Sequence, residues 1–487
     1  MSRCTTLVVV LLLALAPSNG RASDRNWWPL KVEQDAQPGP SNDWLALGPL
    51  GFLQSLPAGR SATGVRPFYV LRRDASGQRE GGSALYPLFR WEHQPNGLSW
   101  TVLNLVNHRR VDGPGEAADL RSLDVWPFYF SRQTGEPSTS YRAVFPIYGD
   151  VPQRFGQDRW KWVLFPLYGR FEENGVTTTT VPWPFIKVLR GDGNHGFELW
   201  PLAGRREKSG VYRAEFALWP LLYRSVSGLD QPEPQVQAGF LPFYALDRRP
   251  GYVSETFGWP FWGYVHRTEP YAYHARHYFW PIWVQGRGDD RYVNRWGPFY
   301  SHSNIKGLEK RWVLWPFWHH RTWTEAGLEH ERRQFLYFLY YSNLQRRPNS
   351  TAGEAEKTHL WPLISAWDNG AGRKQVQMPS PLEVFFPNNE HVRLTWSPLF
   401  ALYRFNQTAP GEVRHSLLWD GITYERSTSN GTREFHLGPI LSVESQPEER
   451  RIALFNLLGL ERREGRGWRF FFGKDSPAPA PADATSP

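Results

Sequence analysis

A proline set between aromatic or aliphatic residues returns along almost the whole chain, and no other feature limits the fold as much. It runs from Trp28-Pro29-Leu30 through Trp126-Pro127-Phe128, Phe165-Pro166-Leu167, Trp219-Pro220-Leu221 and Trp315-Pro316-Phe317 to Gly438-Pro439-Ile440. Nineteen units carry the proline, and four more, around Leu105, Leu339, Asp420 and Leu460, lack it. Together they make 23 units with a mean spacing of about 19.5 residues. So regular a period outweighs chain length as a guide to domain number. It predicts one repeat domain over residues 23–473.

Between consecutive prolines lie Gly, Asn and Asp clusters of the kind that close hairpins, among them 74–77, 94–97, 172–175, 286–290 and 427–431. The stretches between are rich in Val, Ile, Thr, Tyr, Phe and Trp, as in 176–189, which is strand chemistry. The expected fold is all-β, with one strand of about 12–15 residues per unit and W-P-[FL] at mid-strand. About 23 antiparallel strands would then form a meander. A flat sheet of that width exposes its edges and invites aggregation, so closure or rolling into a large barrel-like structure is expected. A proline in every strand removes one ladder donor, and it is read here as a shared kink.

The side-chain pattern separates two forms of closure. Around Val313–Arg321, both faces of an uninterrupted strand would be apolar at the centre and polar at the ends. A membrane barrel with a wet lumen instead alternates apolar and polar residues along its strands. Two-sided burial suits a bent strand shared between two packed layers. The aromatic segment 466–473 resembles the closing strand of outer-membrane barrels, although a further Pro/Ala-rich tail follows it at 474–487. The longest connections, 111–119, 226–235 and 346–356, all follow odd-numbered units, which points to specialisation of one edge.

The N-terminus reads as a secretory signal over residues 1–22, with Arg3 ahead of a ten-residue apolar run, Leu7 to Ala16, that is too short to span a bilayer. The single cysteine, Cys4, falls within that signal, so disulfides, cysteine zinc sites and a cysteine nucleophile are excluded from the mature chain. Net charge is +9 and is carried by arginine, with nine lysines among 56 basic residues. An exported basic surface favours anionic glycan, lipopolysaccharide or lipid over nucleic acid.

Candidate chemistry is sparse. His319 and His320 are adjacent in a strand and point to opposite faces, as do His274 and His277, so neither pair chelates a metal. No metal site, cofactor or catalytic constellation is expected. The aromatic positions Trp259, Trp262, Trp280, Trp283, Trp315 and Trp318 recur at corresponding places on nearby strands. Indole faces bind sugars and lipid headgroups, or serve as a structural ladder. The expectation is an exported, non-enzymatic bacterial cell-envelope protein, embedded in or associated with the outer membrane. The alternative is a soluble periplasmic or secreted carbohydrate-binding or structural module.

Overall fold

The computed structural model describes residues 26–34, 43–113, 119–350 and 353–472. The signal and the tail expected at 1–22 and 474–487 lie outside these residues. The described residues are all-β: 45 antiparallel strands follow one another in a single meandering sheet, with two short α-helices, α1 (Glu390–Thr395) and α2 (Ser397–Phe400). Among the described ladders, β1 (Asn26–Trp27) pairs with β2 (Lys31–Gln34), and β45 (Trp468–Phe472) with β44 (Leu458–Arg463). The two terminal strands do not pair with each other, so the sheet is not closed into a barrel.

The strand count is nearly double the expected 23, because the proline sits in a turn and not at mid-strand. β19 (Asn194–Leu199) ends immediately before Trp200-Pro201-Leu202, and β20 (Ala203–Lys208) begins immediately after. Each repeat is therefore a hairpin with two strands, mostly of six residues, an apolar turn at the proline and a polar turn at the other end. Proline is tolerated there because no ladder position needs the N–H it lacks. The Trp200–Pro201 peptide is cis, and the N–H of Leu202 donates to the Leu199 carbonyl at 2.8 Å. That arrangement is a four-residue turn with proline third.

The units without proline reach the same turn by left-handed backbone. Leu103 and Asn104 have φ of 50° and 57°, and Phe455 and Asn456 have 52° and 55°. Two successive positive φ values define a tight hairpin turn, for which Asn is well suited. The last unit is accordingly centred on Asn456 instead of Leu460.

Among the described residues every turn of the proline-bearing kind, with or without its proline, follows an odd-numbered strand, and the polar turns follow even-numbered ones. The three long connections belong to the second kind, so they mark the polar edge without being special within it. Because the apolar turn was read as the middle of a strand, its residues looked like apolar centres on two faces. In the structure they are the turns that join consecutive short strands.

Contacts divide the chain into two units, Met1–Tyr86 with Phe338–Pro487, and Pro87–Tyr337. In the second, continuous unit, a small core gathers Phe130, Tyr141, Ala143, Val151 and Trp162. Trp162 is 0% exposed and lies flat over the neighbouring strand, where a Cβ on Gly149 would sit 2.1 Å from its ring. Gly239 is covered in the same way by Tyr223.

The first, discontinuous unit has a polar interior. Arg66 is buried over the Phe52 ring at 3.6 Å and donates to the carbonyls of Leu394 and Pro49. Glu390, in the first turn of α1, accepts from Arg72 at 2.7 Å and Arg60 at 3.0 Å. Asn389 caps that helix by accepting from the Val392 N–H, and its own amide donates to the Tyr86 hydroxyl. Buried Asp420 receives Arg414 at 3.1 Å and also the Gln34 amide. The Asn26 side-chain amide donates to the Asp420 carbonyl, and the Asn456 amide donates to the Asn26 carbonyl, across more than 390 positions of sequence.

Candidate functional site

Strands of this sheet are polarised along their length. Positions are counted here from the apolar turn inward, the first row being the strand residue that adjoins the turn. In Pro87–Tyr337 the first row runs in direct register through Tyr278, Trp283, Trp296, Tyr300, Val313, Trp318 and Phe335. Further in, the strands turn polar, as in β20, whose Arg205, Arg206, Glu207 and Lys208 lead away from the rim.

The rim itself is bare. Phe128 is 61% exposed, Phe243 63%, Phe299 65% and Trp315 53%. All six candidate tryptophans lie on it. Trp259, Trp280 and Trp315 precede the turn proline, while Trp262, Trp283 and Trp318 open β26 (Trp262–Arg267), β28 (Trp283–Gly288) and β32 (Trp318–Glu325). The structure gathers them along one edge, but they do not form a buried ladder. Trp262 meets Phe261 and Phe279, and the Trp315 indole N–H donates to the Tyr337 hydroxyl at 2.9 Å.

Backbone polarity along this edge is satisfied internally. Leu314 and Trp315 donate to the carbonyls of Phe299 and Pro298 in the preceding turn, and Phe317 closes its own turn onto Leu314. Leu218, Trp219 and Leu221 repeat the arrangement one for one, as do Leu164, Phe165 and Leu167. The turns thus form a hydrogen-bonded stack in which these three carry no orphan N–H. In these three turns the pairing of N–H groups lowers the backbone polarity presented beside the apolar side chains.

The histidines behave as their spacing implies. His319 packs against Tyr337 with ring centroids 4.3 Å apart, and its Nε2 lies 3.2 Å from the Pro316 carbonyl. His320, on the other face, bonds Glu331 at 2.9 Å. His274 packs against His266, whereas His277 faces Arg295, so burial first and that charge second hold its pKa below the ordinary value. Among the described residues no group of three or more His, Cys, Asp or Glu is placed to hold a metal.

Two arrangements went unseen in the sequence. Buried His359 contacts Ser365 directly across the ladder at 2.5 Å. Burial drives this histidine down to about 4, with the Lys357 charge as a second cause. The pair resembles a nucleophile and base, but both residues are buried and no substrate reaches the hydroxyl. The other is Glu207, met by Arg205, His195 and Arg213, each at 2.8 Å. Hydrogen bonds from Arg205 and then His195 lower its pKa to about 2, so it stays ionised and is no proton donor. Cross-strand register, which sequence spacing does not provide, brings each set together. No protein-family model and no curated protein sequence matches this chain.

Proposed function

We propose that this is an exported, non-enzymatic cell-envelope protein that associates with a membrane surface through its apolar rim. The observation that carries the reading is the rim: aromatic turns at one end of the strands, exposed, with N–H groups bonded from turn to turn in several of them. A continuous exposed apolar patch of this kind marks an interaction surface. Trp and Tyr are favoured where water meets lipid. Association, in preference to spanning, follows from strand length. Six residues reach about 20 Å, short of the apolar band of about 25 Å in a membrane barrel, and half of each strand here is polar.

The test is flotation of the full chain with phospholipid vesicles. Wild type is expected to float. Replacing Trp259, Trp280 and Trp315 together by serine should weaken partitioning by about tenfold per indole. A chain that stays at the bottom of the gradient with every vesicle would refute the reading. Quenching of tryptophan fluorescence by envelope polysaccharide, without flotation, would favour the carbohydrate-binding alternative.

A further inference from the structure

The faces of the sheet in Pro87–Tyr337 differ in charge. On one of them, the third and fifth rows pair cations with carboxylates. Glu309 takes His302 and Arg311, and Glu331 takes His320 and Arg333. The opposite face holds the second, fourth and sixth rows. From β25 (Tyr252–Phe257) through β33 (Leu328–Phe335), no position in those three rows is Asp or Glu. The nearest carboxylate on that face is Glu325, at the polar end, where it accepts from the Trp323 indole at 3.1 Å.

Cations collect there instead. Lys310 lies directly across from Arg321, which in turn lies directly across from Arg332. Like charges in direct cross-strand register oppose pairing. Their arginine side chains are sheltered on this face: the Nε atoms of Arg321, Arg295 and Arg291 are buried with no hydrogen-bond acceptor. Arg291 rests on the Tyr271 ring at 3.8 Å and Arg321 on the Trp323 ring at 5.6 Å, so both guanidinium groups are held in place. Elsewhere in the same unit this face does carry acids, and there they meet bases, as Asp124 meets Arg154 at 2.7 Å and Asp247 meets Arg249 at 2.8 Å.

Cations in direct register, on a face whose second, fourth and sixth rows supply no Asp or Glu, describe a basic surface suited to an anion from outside these strands. Guanidinium groups match phosphate oxygens in paired hydrogen bonds. The distance from the rim is suitable. The fourth row stands about 10 Å from the first along the strand, and the headgroup layer begins within about 5–10 Å of the apolar depth reached by a surface-seated element.

We propose that this face, through Lys310, Arg321 and Arg295, binds the phosphate of a net-anionic phospholipid whose acyl chains lie against the rim. The inference rests on the membrane-surface reading above and adds to it a headgroup preference. Glycerol phosphate free in solution offers the same oxyanion without the acyl chains, and the experiment separates the two sources.

Flotation of the full chain is compared between phosphatidylcholine vesicles and vesicles also containing phosphatidylglycerol. Wild type should bind the anionic vesicles more tightly, by about fivefold per engaged cation. The Lys310→Gln/Arg321→Gln variant should lose about 25-fold of that gain and keep its binding to phosphatidylcholine. The triple tryptophan variant should lose both, which distinguishes failure of the rim from failure of the basic face. Arg311→Gln, on the carboxylate-paired face, serves as the charge control and should change the gain much less. Full retention of the anionic gain by the double variant overturns the proposal. So does equal binding to both vesicle types, or saturation by glycerol phosphate with no anionic gain on vesicles.

Discussion

Buried or half-buried arginines occur in both units of this protein, in different company. In Met1–Tyr86 with Phe338–Pro487, Arg66 meets two carbonyls, Arg72 meets Glu390, and Arg414 meets Asp420. Burial is the larger influence on Glu390 and pushes its pKa up, but Arg72 and Arg60 outweigh it and leave the carboxylate below its ordinary value. In Pro87–Tyr337, Arg291, Arg295 and Arg321 are sheltered with no carboxylate near them on their face. Each guanidinium of the first set meets an oxygen acceptor, which helps offset the desolvation of its charge, although the Nε atoms of Arg404 and Arg451 in the same unit are buried with no hydrogen-bond acceptor. The second set differs in having no Asp or Glu in its rows. The difference teaches that the chain knows how to neutralise a sheltered guanidinium and does not do so everywhere.

Removing a partner from the first set should have the largest effect. Asp420→Ala removes one of the two carboxylates that meet Arg414, Glu425 being the other at 3.1 Å, and breaks the link to Gln34, so a loss of about 3 kcal/mol is expected, read as a lower urea midpoint. If the loss stays under about 1 kcal/mol, the polar interior behaves like surface, and the contrast between the units dissolves.

Next comes pH. The folded value of about 4 for His359 lies below the ordinary histidine value of 6.5. Between those two pH values the unfolded chain takes up a proton that the folded chain refuses. Stability is therefore full above about pH 6.5 and falls as pH drops toward 4, by up to about 3 kcal/mol. His359→Asn should flatten that part of a Tm-against-pH curve. An unchanged slope would assign the acid sensitivity to other groups.

The smallest effect has the opposite sign and sharpens the contrast most. Lys310→Gln removes a charge placed directly across from Arg321. It should stabilise the protein by a few tenths to about 1 kcal/mol while weakening anionic lipid binding. A destabilised variant would show that the basic row is neutralised within the fold.

Much of this was legible in the residues. The alternation of Val, Thr and aromatic residues and the polar turn clusters fixed an all-β meander, and the 19.5-residue period was real. The strand count was misread because Val313, Trp315 and Phe317 alternate with Leu314 and Pro316 as strand residues do. Apolar turns offer none of the Gly, Asn or Asp signals by which turns are recognised. One signal was available. Asn104 and Asn456, in units that lack proline, stand at left-handed positions suited to a two-residue turn. The recurrence of the six tryptophans was visible in sequence, but their exposure was not, because an aromatic row reads alike whether it is buried or at an edge.

By itself, the sequence determined the repeat, the strand chemistry and the opposite faces of His319 and His320, since these depend on periodicity and local backbone preference. Tertiary structure alone decided that the prolines share one edge, that Lys310, Arg321 and Arg332 align, and that Asp420 meets Arg414 and Gln34. Those facts depend on register and on contacts between distant segments. A one-residue change in turn length alters the face on which every following side chain appears.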